Sequence, residues 1–187
     1  MGCEQVITEL FQIMERFFKK NGRLFGEITE EVIQSLEAGG KILVFGNGGS
    51  AAQAQHFAAE LVNRFLKERQ ALAAISLTTD TSSLTSIAND TSFIHIFSRQ
   101  IEAIGKKGDV ALALSTSGNS ANVIQAIKKA REMNLLTVAL TGKGGGKLRS
   151  LPEFLIDIPS SSTPRVQEAH LILLHLLAQE IEEKLSG

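Results

Sequence analysis

Five short apolar runs, at residues 41–45, 71–77, 109–114, 135–140 and 153–158, alternate with helix-like segments. Apolar strands separated by helices predict a parallel sheet covered on both faces, because each crossover lays a helix on the sheet. The helices are expected at 50–67, near 81–88, and at 92–104, 120–133 and 164–184, with a glycine-rich turn at 142–146 before a short helix. Upstream, Val6, Ile7, Leu10, Ile13, Met14, Phe17 and Phe18 recur at helical spacing. Asn21-Gly22 predicts a break there, and a second helix from about 24 to 37 is expected to stop at Gly39-Gly40. The chain therefore reads as one α/β domain over 1–187, with a helical extension at 1–38 and a core at 39–187. In a flavodoxin-like strand order the first and third strands are neighbours, and ligands sit in the crevice at their carboxyl ends.

Composition narrows the function classes. The chain has 187 residues, 43% of them hydrophobic and 21% charged, as in ordinary globular proteins. A net charge of −1 gives no overall attraction to nucleic acid or to an anionic membrane. No apolar run reaches membrane-spanning length. Cys3 is the single cysteine, so no intrachain disulfide forms, and a reducing cytoplasm is expected. Met1-Gly2-Cys3-Glu4 has no basic region before an apolar stretch, and Val6 stands where the myristoylation pattern wants Ser or Thr.

Two strand-to-helix junctions are rich in small donors. Gly46-Asn47-Gly48-Gly49-Ser50 follows the first run, and Ser115-Thr116-Ser117-Gly118-Asn119-Ser120 follows the third. Backbone N–H groups at a helix start, added to the positive helix end and to hydroxyls, favour a bound phosphate. The plainer reading is two turns with N-caps at Ser50 and Ser120. Two such turns in one small domain favour phosphate. Position 51 is Ala, so the first turn is not a G-x-G-x-x-G dinucleotide fingerprint, and no Walker A lysine is present.

The chemistry-bearing side chains fall on two helices. His56 and Glu60 are four apart and share a face, where they can hold a borderline metal or simply pair with each other. The final helix carries Gln167, Glu168, His170 and His175, with His175 among leucines and isoleucine. Glu168 lies almost in line with His175, whereas Gln167 is turned roughly 80° away, so periodicity selects Glu168 first. His95 and His170 read as structural or surface residues. Asp90 is a candidate cap for helix 92–104, with hydrogen bonding to a polyol as the alternative for Asn89-Asp90. Arg64 reads first as a partner of the helix dipole.

Taken in order, Gly46–Ser50, His56-Phe57-Ala58-Ala59-Glu60-Leu61, Asn89-Asp90, Ser115–Ser120 and Arg165-Val166-Gln167-Glu168-Ala169-His170 resemble the sugar isomerase (SIS) fold. Within it they resemble the bacterial phosphoheptose isomerase family over nearly the whole chain. The resemblance implies conversion of D-sedoheptulose 7-phosphate to D-glycero-D-manno-heptose 7-phosphate, opening the ADP-heptose route to lipopolysaccharide core or other surface glycans. It implies a homotetramer with sites at subunit contacts and one zinc per subunit. His56, Glu60, Gln167 and His175 become the metal set, which reverses the choice of Glu168. Asn47, Gly48, Gly49, Glu60, Asn89, Asp90, Ser115, Thr116, Ser117, Ser120 and Gln167 become substrate contacts, and Glu60 and His175 the acid–base pair. A close branch of the same family binds the bacterial replication initiator without isomerase chemistry. Ala51–Ala59, Asn63-Arg64-Phe65 and Thr137–Gly142 resemble that branch too. It lacks an acid and a histidine at the positions of Glu60 and His175, so the isomerase is the expectation and a replication initiator is a partner only under the alternative.

Overall fold

The apolar runs pair as five parallel strands in the order β2-β1-β3-β4-β5. These are β1 (Ile42–Gly46), β2 (Ala74–Ser76), β3 (Val110–Ser115), β4 (Leu136–Thr141) and β5 (Phe154–Asp157). This is the flavodoxin-like order expected, and it makes β1 and β3 neighbours, with Phe45 beside Ala113 and Gly46 beside Leu114. The computed structural model describes residues 2–186. Met1, in the stretch read for targeting signals, and Gly187, at the end of the predicted core, lie outside them.

Alternation along each strand divides the core in two. Ile42, Val44, Leu112 and Leu140 face one side, where α1 (Cys3–Glu37), α2 (Gly49–Val62) and α6 (Thr163–Leu185) cover them. Leu43, Phe45, Ala111 and Ala139 face the other, against α4 (Ser98–Ile104) and α5 (Ala121–Glu132). The shorter α3 (Thr81–Asp90) packs on this second side through Leu84 and Ile87. Placing α2 and α6 on the same face of the sheet is what brings their polar residues together.

Several boundaries differ from expectation. The break at Asn21-Gly22 is absent, and α1 is one helix of 35 residues. A glycine inside a helix costs about 1 kcal/mol. Burying Phe17, Phe25, Ile28 and Val32 against the core stabilises by roughly 1.5–3 kcal/mol for each large side chain, so packing outweighs the local preference. The stop before Gly39-Gly40 is as expected. Helix 50–67 ends early at Val62, which leaves Arg64 beyond the helix, paired with Glu68 at 3.0 Å. The run 71–77 contributes only a three-residue edge strand.

Segment 92–104 divides into a 3-10 turn, Phe93–His95, and α4. Asp90 does not cap it. Asp90 is the last residue of α3, and Ser92 caps the turn by accepting from the Ile94 N–H at 3.2 Å. The final helix runs nearly as predicted, with Pro164 in its first turn, where a missing N–H costs nothing. Among the described residues no helix is long and apolar enough to cross a membrane.

Candidate active site

The two small-residue junctions meet across the β1–β3 crevice. Asn47 Nδ2 donates to Asn122 Oδ1 at 2.9 Å, and Asn122 Nδ2 donates back to Asn47 Oδ1 at 2.9 Å. This reciprocal amide pair ties the turn before α2 to the first turn of α5. Asn122 is buried and was not singled out in the sequence, although it follows the serine turn directly. The expected N-cap at Ser50 is corrected. Gly48 holds that position with φ +55°, a conformation that L side chains avoid, and Ser50 is buried inside the first turn.

Ser120 does occupy the N-cap of α5, but its side chain makes no capping bond. The Val123 N–H donates to Asn122 Oδ1 at 2.9 Å, and the N–H groups of Ala121 and Asn122 remain donors toward the turn. Ser115 Oγ lies 3.4 Å from Ser120 Oγ, and Ser117 Oγ accepts from the Asn119 N–H at 3.1 Å. The Thr116 carbonyl accepts from the Gly142 N–H at 3.0 Å, and Asn119 Oδ1 accepts from the Lys147 N–H at 3.1 Å. The glycine-rich turn after β4 thus braces the serine turn. A preshaped loop of hydroxyls at a helix start can bind an anion without reorganising.

The helix pair α2 and α6 carries the acid–base groups. Gln53 Nε2 donates to the Gln167 carbonyl at 2.6 Å, and His56 Nε2 meets His175 Nε2 at 2.8 Å. Contacts that advance together along both helices show that they run parallel. Glu60 Oε1 lies 3.5 Å from His56 Nε2, with the Glu60 side chain 20% exposed. The His56–His175 bond requires one ring to carry the Nε2 proton and the other to accept it. The His175 ring also stacks on Phe65, with centroids 5.5 Å apart and planes 29° apart. Phe65 was noted in the sequence only within Asn63-Arg64-Phe65.

Two imidazole nitrogens and a carboxylate oxygen are a zinc-type donor set. Among the described residues of one protomer, however, no three such side chains already surround one point. His56 stands between the other two. Bonds of about 2.0–2.1 Å to a tetrahedral zinc would hold the two nitrogens roughly 3.3 Å apart, so they need to separate by about half an ångström. The donors fit the metal chemically.

Gln167 does not join this cluster within the protomer. It lies eight residues before His175 on one helix, about 12 Å along the axis. Its amide rests on Gly49, where any Cβ would collide with it. Glu168, the choice of periodicity, is no closer to the metal cluster in function: its carboxylate accepts from Arg165 Nη2 at 2.5 Å.

Asn89 and Asp90 are exposed at the end of α3, and Asn89 Nδ2 donates to Asp90 Oδ1 at 2.8 Å. His95 is exposed, in keeping with a surface role. His170 is fully buried, with Nε2 3.2 Å from the Thr141 carbonyl, and burial pushes its imidazole down to about 4. It is a neutral structural histidine.

Known proteins resemble this chain in sequence and fold. Residues 6–142 match the SIS domain family. The phosphoheptose isomerase of Desulfovibrio desulfuricans is 51% identical over 168 residues, covering 90% of this chain and 80% of that protein. That of Helicobacter pylori is 52% identical over 183 residues, covering 96% of this chain and 95% of that protein. The solved phosphoheptose isomerase GmhA of Neisseria gonorrhoeae superposes with a TM-score of 0.89 at 43% identity, covering 96% of each chain. The chain belongs to the phosphoheptose isomerase family of SIS-domain proteins.

Proposed function

We propose that this protein interconverts D-sedoheptulose 7-phosphate and D-glycero-D-manno-heptose 7-phosphate by proton transfer through an enediol. The observation that carries this reading is the meeting of His56, Glu60 and His175 on the seam between α2 and α6. Moving a proton between adjacent carbons requires a base, and Glu60 is the carboxylate available at that seam. With no zinc bound, His175 has His56 as its hydrogen-bond partner and is placed to move protons at the substrate oxygens. Ser115, Thr116, Ser117 and Ser120 take the phosphate, away from the reacting carbons, and convert binding into orientation. Asn47, Gly48, Gly49, Asn89 and Asp90 contact the sugar.

His56, Glu60 and His175 would hold a zinc ion. Gln167 would join them as a fourth donor only from a second copy, since Gln167 and His175 of one helix lie about 12 Å apart along its axis. When bound, zinc supplies polarisation of the carbonyl. The working form is a homotetramer whose sites lie at subunit contacts, in the cytoplasm, and its product feeds nucleotide-activated heptose for surface glycans. The initiator-binding alternative is not favoured, because it has no use for an acid and a histidine meeting at Glu60 and His175.

The test is incubation of purified protein with sedoheptulose 7-phosphate, with and without added zinc, followed by product analysis. Aldoheptose phosphate formed in proportion to enzyme is the expected result. The one Glu60 carboxylate cannot ligate throughout and also abstract a proton, so the zinc dependence separates its two roles. Zinc-loaded protein that leaves the substrate untouched and binds the replication initiator would overturn the reading.

A further inference from the structure

Glu182 is a buried carboxylate outside the cluster just described, two turns beyond His175 on α6. Seven residues of helix return almost to the same face, so both side chains look toward the segment that follows α2. There the Glu182 carboxylate accepts three consecutive backbone N–H groups: Phe65 at 2.8 Å, Leu66 at 2.6 Å and Lys67 at 2.8 Å. Arg69, also buried, places Nε 3.3 Å from Glu182 Oε1. The Arg69 guanidinium donates onward to the carbonyls of Leu61 at 2.9 Å, Gln70 at 2.9 Å and Glu60 at 2.8 Å. Burial alone would raise the Glu182 carboxyl, but the three N–H donors and Arg69 together hold it below its ordinary range.

An irregular segment with no ladder of its own is thus fastened at both ends to the two site helices. Its one aromatic residue, Phe65, is the residue whose ring lies against the His175 imidazole. His56 meets the same imidazole edge-on, at 5.1 Å between centroids. Phe65 limits how far the ring can turn from His56, and the Glu182 carboxylate fixes the backbone that carries Phe65, whose ring also packs against the core.

We propose that Glu182 is a positioning residue for the isomerisation, acting through Phe65 to hold the His175 imidazole in register with His56 and Glu60. This rests on the isomerase reading of the preceding section. It assigns to Glu182 no contact with substrate or metal.

The experiment compares wild type, Glu182→Gln, Phe65→Leu and the double variant. The readouts are turnover of sedoheptulose 7-phosphate and amide hydrogen exchange at residues 65–67. Wild-type turnover is measured first, and its absence counts against the isomerase reading rather than against the anchor. Glu182→Gln should accelerate exchange at Phe65, Leu66 and Lys67 by roughly tenfold or more, because a charged acceptor of three bonds is lost. It should lower kcat by about tenfold or more with KM within about twofold, since misplacing a catalytic group slows the step without touching the phosphate turn. Phe65→Leu should lower kcat similarly while exchange at 66 and 67 stays slow. The double variant should be no slower than the slower single one. Full kcat in either single variant, or losses that multiply in the double, would overturn the proposal. Should Glu182→Gln not fold, Phe65→Leu decides alone: full kcat overturns it, and a kcat loss at constant KM supports it.

Discussion

Asn47 and Asn122 satisfy each other's amides across the β1–β3 crevice, so the two small-residue turns are tied to each other. Removing one partner strands the other. Asn122→Ala should cost about 1–3 kcal/mol of stability, because it leaves the buried Val123 N–H without its acceptor as well as unpairing the half-buried Asn47 amide. It should also raise KM for the sugar phosphate, since Asn47 becomes free to rotate. Urea unfolding and steady-state kinetics on the same preparation test both halves. Unchanged stability would mean that water replaces the missing amide.

Glu60→Gln preserves shape and removes the base, and His175→Asn removes the imidazole. Each should lower turnover by roughly 10²–10⁴-fold, the range typical of positioned acid–base groups. Zinc retention should fall in both, because an amide is a poor substitute for carboxylate or imidazole. Phosphate binding should persist, as its donors lie on other loops. Calorimetric titration with substrate, set beside turnover, distinguishes these effects.

His170 makes stability sensitive to acid. Burial holds its folded-state value near 4, below the 6.5 of an exposed histidine. Between those values the unfolded chain binds a proton that the native state refuses. Its contribution is therefore complete above about pH 6.5 and is lost as pH falls toward 4. The loss between pH 7 and pH 5 should be about 2 kcal/mol. Urea midpoints at the two pH values measure it, and His170→Gln should flatten the dependence.

The outer face of α1 exposes Ile7 at 69% and Phe11 at 70%, and α6 exposes Ile172 at 36%. Water-facing apolar side chains of this size, in number, favour self-association. Sedimentation at micromolar concentration should show a tetramer, and Phe11→Glu should shift it toward smaller species. The chain has no Trp or Tyr, so interference optics are the suitable detection. A stable wild-type monomer would contradict the assembly.

Strand identity was legible because buried parallel strands are continuous apolar runs, such as Val110–Leu114, whereas the order was supplied by the flavodoxin-like arrangement expected for alternating strands and helices. The pairing of His56 with His175 was half legible. Helical spacing put Glu60 beside His56, but nothing local could reveal that α2 and α6 share a face of the sheet. Asn21-Gly22 misled because local preference is weak beside the packing of Phe17 and Phe25. Ser50 misled because the commonest capping residue stood two positions after a glycine that the backbone geometry required. Glu168 misled because an arginine one turn earlier claims its carboxylate. The Glu182 anchor left no trace in the sequence, since its partners are backbone N–H groups of a segment with no periodicity of its own.

The unbroken α1 has a consequence for how the chain is made. Its apolar face packs on α6, whose last turn is synthesised nearly 150 residues later. At synthesis rates of about 5–20 residues per second, that face waits roughly 7–30 s for its partner. During that interval Phe17, Phe25 and Val32 are uncovered on a helix that has already left the ribosome. The nascent chain is therefore a natural client for chaperones that hold apolar segments, and productive closure of the fold is set by the arrival of α6 rather than by the sheet.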